Sequence, residues 1–116
     1  MMLHIRSNLE NTILKYFSEE TLREILEEVE EKRVCEFPVT LSHPLLLPEK
    51  QINVKIYHEF DKLYYVVEVR NNRVVMRFKS NSIYECLEAL VIDVFNIGVN
   101  YNHTIREWNF FIETVR

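Results

Sequence analysis

The chain has 116 residues, 47% of them hydrophobic and 28% charged, the balance of an ordinary globular domain, which excludes the disordered and fibrous classes. At this length folding buries roughly two-thirds of the surface that the unfolded chain exposes, enough for a core without covalent staples. The formal net charge of −4 is too small for a general polyanion binder, and no apolar run approaches the ~20 residues of a membrane span.

Charge is spread unevenly. Residues 1–50 carry 10 acidic and 6 basic side chains, residues 51–79 carry 3 and 6, and residues 80–116 carry 5 and 2. The opening stretch from Met1 to Arg6 lacks the basic, apolar and small-residue regions of a secretory signal, so a cytoplasmic location is expected.

Ser7 with Glu10 forms a capping box, and Leu9, Ile13, Tyr16 and Phe17 recur at helical spacing, which predicts a short helix over about 8–17. Ser18 caps a second helix, with Glu19 and Glu20 in its first turn, Leu22, Ile25, Leu26 and Val29 on one face, and Lys32 and Arg33 in its last turn. Cys35, Phe37, Val39 and Leu41 then alternate with Glu36, Pro38 and Thr40, a strand that Pro38 confines to a sheet edge because it has no N–H to donate. His43 to Pro48, with leucines at 45, 46 and 47 between two prolines, reads as a loop.

Residues 51–79 predict a three-stranded antiparallel meander. Ile52, Val54, Ile56 and His58 alternate with Asn53, Lys55 and Tyr57, a second alternating run follows Glu59 to Lys62, and Asn71-Asn72 suits a two-residue type I′ turn. That turn sets Arg70 opposite Arg73, Val69 opposite Val74, Val67 opposite Met76 and Tyr65 opposite Phe78, and on the other side Glu68 opposite Val75, Val66 opposite Arg77 and Tyr64 opposite Lys79. A four-residue first loop would place Tyr57 opposite Tyr64 and Lys55 opposite Val66.

Ser82 and Glu85 make a further capping box that opens a helix over 83–97, with Ile83, Leu87, Leu90, Val91, Val94 and Phe95 as its core stripe and Gly98 as its C′ residue. Tyr84, Cys86, Ala89 and Ile92 widen the stripe, so this helix calls for cover on two sides. Thr104 and Glu107, with Ile105, Trp108, Ile112 and Val115, favour a last helix, although Trp108, Phe110 and Ile112 also alternate as strand residues do.

The outward face of the meander collects the candidate binding residues Lys55, Tyr57, Tyr64, Arg70, Arg73, Arg77 and Lys79, beside Val66 and Val75. Cations there could neutralise phosphates while the rings stack on bases, and the same residue types also make an ordinary solvated sheet face. Glu20, Glu24, Glu27, Glu28 and Glu31 line the second helix as a solvated acidic stripe, with Glu19–Arg23 and Glu28–Lys32 spaced for i, i+4 pairs.

His4, His43, His58 and His103 show no H-x-H or H-E-x-x-H spacing, and Cys35 and Cys86 form no C-x-x-C, so two buried thiols are expected rather than a zinc site or disulfide framework. A single glycine, Gly98, leaves no phosphate-cradling loop. No catalytic, metal or cofactor site is therefore expected. Apolar residues at 45–47, on the 83–97 helix and at Trp108, Phe110 and Phe111 exceed what one small sheet covers, which points to a homodimer or other self-association.

A helix, three antiparallel strands and a helix is similar in element order to double-stranded RNA-binding domains. Asn81, Ser82, Ile83, Tyr84 and Glu85 stand where that family carries lysines at the opening of its final helix, so the resemblance stops at element order.

No internal repeat or linker divides the sequence, which reads as one α+β domain over 1–116: N-terminal helices, an antiparallel sheet of three or four strands, and the 83–97 helix across its apolar face. The expected function is a non-catalytic protein-binding regulator or inhibitor. One Gly, one Ala and one Gln against 10 Asn suggest an AT-rich genome such as that of a virus or mobile element, with a host complex as target. The alternative is a nucleic-acid-binding module using the basic sheet face.

Overall fold

Ser18 caps helix α1 (Glu19–Lys32), its Oγ accepting the Thr21 N–H at 3.0 Å, with the acidic first turn and basic last turn that the sequence indicates. The structure, a computed structural model, describes residues 11, 13–43, 46–59 and 63–101. After α1 come four strands, β1 (Val34–His43), β2 (Leu46–His58), β3 (Tyr65–Asn71) and β4 (Val74–Ser80), and helix α2 (Ile83–Tyr101). The strands form one antiparallel meander in the order β1-β2-β3-β4. Helix α1 packs on β1 and β2, and α2 on β3 and β4, so the fold is α+β as the sequence predicts.

Alternation explains the core. Cys35, Phe37, Val39 and Leu41 of β1, Ile52, Val54 and Ile56 of β2, and Val67 and Val69 of β3 all turn to the helix side and are buried. They close on Ile25 and Val29 of α1, on Leu87, Leu90 and Val94 of α2, and on Ile13 and Phe17 from the turn before α1. Burying each large aliphatic side chain contributes about 1.5–3 kcal/mol. Tyr16 adds an edge-to-face contact with Phe95 at 5.3 Å, which ties that turn to α2. Both cysteines are buried thiols outside any disulfide, as expected, and Cys35 donates to the Glu28 carboxylate at 3.1 Å.

Helix α1 ends without a glycine. Arg33 takes the left-handed conformation (φ 68°), its N–H bonds the Val29 carbonyl at 3.0 Å, and its own carbonyl accepts the His58 N–H at 3.0 Å. The strained cap, costing about 1–2 kcal/mol in a non-glycine residue, is thus offset by bonds that join the helix end to β2. The Arg33 guanidinium also meets His58 Nδ1, and the imidazole stacks on Tyr65 at 4.6 Å.

Four sequence expectations are corrected. The stretch read as a loop over 43–48 is largely strand: β1 runs to His43 and β2 starts at Leu46, with a bulge between the Leu41–Lys50 and His43–Leu46 pairs. Pro48 falls inside that bulge, where no ladder bond is asked of it. The β3–β4 turn is Asn72-Arg73 rather than Asn71-Asn72, with Asn72 alone at positive φ (58°) and Asn71 paired to Val74. Arg70 therefore faces Val75, and Glu68 faces Arg77. The β2–β3 register moves likewise, so that Tyr57 faces Val66 and Lys55 faces Glu68. Lastly, α2 continues through Gly98 to Tyr101, because the buried stripe runs on through Val94 and Ile97.

At the start of α2 the capping box gains a third member. Ser82 Oγ accepts the Glu85 N–H at 3.5 Å, while the Ser82 N–H donates to Ser80 Oγ (3.1 Å), whose hydroxyl donates to the Glu85 carboxylate (2.6 Å). Of the helix expected over 8–17, residues 8–10 and 12 lie outside the described residues, and the described part does not stay helical to 17: residues 14–16 form a turn, with the Tyr16 and Phe17 N–H groups both donating to the Ile13 carbonyl. The segment from Thr104 with Trp108, Phe110 and Phe111 lies outside the described residues.

Candidate functional site

Two surfaces concentrate chemistry: the outer sheet face and the free corner where β4 meets α2. The outer face is built around Glu68, a residue that sequence reasoning paired with Val75 and passed over. Its side chain is only 4% exposed, although it lies on the face turned away from the helices. Arg77 donates from Nε (3.1 Å) and Nη2 (3.0 Å) to Oε2, Tyr57 donates its hydroxyl to the same oxygen at 3.2 Å, and Arg70 donates from Nη2 to Oε1 at 3.2 Å.

Burial alone would raise the Glu68 carboxyl. The hydrogen bonds and charges of Arg70, Arg77 and Tyr57 outweigh it and hold the group below the ordinary carboxylate value. The Tyr57 hydroxyl moves the other way, raised by burial and by the adjacent carboxylate.

Lys55, Lys79 and Tyr64 are also engaged. Lys55 lies 3.9 Å from Glu36 and 5.5 Å from the centre of the Tyr57 ring. Lys79 pairs with Glu59 at 3.0 Å and sits 5.2 Å from the Tyr64 ring centre. Arg73 stands apart, exposed in the β3–β4 turn rather than on the face, and makes no ion pair among the described residues. The structure thus gathers Lys55, Tyr57, Arg70 and Arg77 around Glu68, groups Tyr64 with Lys79, and separates Arg73. A depression of about 620 Å³ opens beside the cluster, bordered by Glu36, Pro38, Asn53, Lys55 and Arg70.

The second surface is apolar and was missed as a unit. On the helix side of β4, Val74 is 58% and Phe78 38% exposed, and across the groove Ile92 of α2 is 52% exposed. Phe78, Ala89 and Ile92 line a groove of about 360 Å³ rimmed by Glu85 and Glu88. The signal was available: Ile92 lies on the flank of a helix stripe too wide for one sheet, and β4 ends the strand order.

Among the described residues no three His, Cys, Asp or Glu side chains cluster in a way that could hold a metal ion. No helix among them is long and apolar enough to cross a membrane. The fold and these surfaces define a two-layer α+β protein. The chain matches no protein-family model, and no curated protein or solved structure is significantly similar to it.

Proposed function

We propose that this protein is a non-catalytic protein-binding regulator, and that it engages its partner through the corner formed by β4 and α2. The observation that carries this reading is the set of exposed apolar side chains, Val74 and Phe78 of β4 and Ile92 of α2, at a strand that has no neighbour on its outer side among the described residues. Solvent-exposed apolar groups concentrated at one place favour contact with another protein surface. The nucleic-acid reading draws less support, because Lys55 and Lys79 are each matched by a carboxylate and Arg70 and Arg77 share one, which leaves too small a positive surplus to drive binding to a polyanion.

The test is photo-crosslinking from position 75 in an extract of the source cells. A discrete protein adduct is expected, lost on Phe78→Asp with Ile92→Asp while the variant still unfolds cooperatively. A nuclease-sensitive adduct, or a protein adduct indifferent to both substitutions, would overturn the reading.

A further inference from the structure

The edge of β4 carries more information than an apolar patch. Alternate residues of an edge strand turn their N–H and C=O groups outward, away from the neighbouring strand, and among the described residues that neighbour is β3 alone. Side chains on the two sides of this open edge differ in kind. Toward the helices stand Val74, Met76 and Phe78, continued by Ala89 and Ile92 of α2. Toward the outer face stand Val75, Arg77 and Lys79, with Arg73 at the turn, so that the cations flank a single exposed valine.

The charge on that outer side is unbalanced. Arg70 and Arg77 share the single Glu68 carboxylate, Arg73 adds a further guanidinium, and Lys79 is matched by Glu59. On the groove side the sign reverses, since Glu85 and Glu88 form the rim. A segment laid along β4 must therefore present acidic groups to one side and none to the other.

We infer that β4 accepts, as a fifth strand of the sheet, an extended segment of a partner protein in which acidic and apolar residues alternate. This rests on the protein-binding reading above and specifies its mode. Backbone hydrogen bonds would supply the common part of the affinity, and the two unlike faces the specificity. The period of two in a strand delivers acidic side chains to the surplus positive charge at Arg73 and Arg77 and apolar ones to the groove.

A second copy of this chain fits the edge less well. Two β4 strands related by a two-fold axis must pair in registers that keep their outer faces together. Centred on Arg77, such a register sets Arg77 against Arg77; centred on Phe78, Arg77 against Lys79; centred on Met76, Arg73 against Lys79. Each brings like charges into opposition, which destabilises cross-strand pairs.

The experiment uses the full chain and a short capped peptide of alternating glutamate and valine. NMR shifts and hydrogen-exchange protection on adding it should fall on the amides of β4. Two versions, N-methylated on one or the other set of alternate residues, should separate, one losing binding and one binding like the parent. A lysine–valine peptide should not bind, and Arg73→Glu should weaken the glutamate peptide about tenfold.

Equal binding of the two N-methylated peptides, or of the lysine peptide, overturns strand addition while leaving the crosslinked adduct, and so the broader reading, intact. Outward-facing amides of β4 that are already protected in the free chain also overturn it. Protection that rises with concentration would assign the edge to a second copy, and concentration-independent protection to the chain itself.

Discussion

The two edges of the sheet are finished in opposite ways. Strand β1 has 10 residues, its inward side chains Cys35, Phe37, Val39 and Leu41 are buried on the side of α1, and Pro38 interrupts its outward row of donors. Strand β4 has 7 residues, no proline, and inward side chains that α2 covers only in part. An edge that is blunted by proline and roofed by a helix is protected against further pairing; an edge that lacks both is available for it. Among the described residues, one side of the sheet is closed and the other is open.

The largest test of that contrast compares the same residue type on the two edges. Phe37 of β1 is 3% exposed, and Phe37→Ala is expected to cost about 3–5 kcal/mol in urea unfolding. Phe78 on β4 buries far less, so Phe78→Ala should cost under about 1.5 kcal/mol. Equal losses would mean that the corner is covered in solution and that the edges are alike.

Next comes the device that holds β4 to the sheet. Glu68→Gln leaves the guanidiniums of Arg70 and Arg77 without their carboxylate and is expected to cost about 2 kcal/mol. The same group sets an acid limit. A carboxyl held below its ordinary value when folded contributes stability that is present above the unfolded value, about 4.3, and is lost as the pH falls through the folded one. The wild type should therefore lose stability on acidification below about pH 4.3 more steeply than Glu68→Gln does, as read from unfolding midpoints across that range.

Much of this was legible in the sequence, and the part that was not has a definite physical origin. Alternation assigns side chains to faces, so the buried row Cys35, Phe37, Val39 and Leu41 and the outward set Lys55, Tyr57, Arg70 and Arg77 were read correctly. Cross-strand partners depend instead on where a turn begins, and three polar residues in a row, Asn71, Asn72 and Arg73, allow more than one start. Both registers moved by two residues, an even step that preserves the face and changes the partner. Charge decides between the alternatives: the observed register sets Glu68 opposite Arg77, whereas the other sets Arg70 opposite Arg73. The open corner was hidden for another reason, since how far a helix roofs a sheet is a matter of packing angle and is not written in either element's periodicity.

A smaller effect concerns Cys86, buried in α2 with its thiol donating to the Tyr65 carbonyl at 3.5 Å on the strand beside β4. Burial, and to a lesser degree the Glu85 carboxylate, push this thiol up to about 11, against a partial opposing effect of the Ser80 backbone. A raised value means that its stabilising contribution is full below the unfolded value, near 8.5, and declines as the pH rises toward 11. Unfolding midpoints of the wild type should fall over that alkaline window, and Cys86→Ala should remove part of the fall. Alkylation of Cys86 at neutral pH should also be slow in the folded chain; fast labelling would mean that α2 opens away from the sheet.

The smallest expected change in stability carries the sharpest statement about the edges. Pro38 lies opposite Asn53 on the outermost strand, where the missing N–H costs nothing as long as it faces away from β2. Valine at this position keeps an extended φ, favours strands, and restores one donor to the outward row, so the folded chain should change by no more than about 0.5 kcal/mol. Association is where the substitution should register. If proline is what blunts β1, Pro38→Val should raise the mass measured by light scattering as concentration increases, relative to the wild type at the same concentrations. If the mass does not respond, the contrast between the edges must rest on the helices alone: β1 would then be closed because Cys35, Phe37, Val39 and Leu41 are buried on the side of α1, and β4 open because α2 leaves Phe78 and Ile92 exposed.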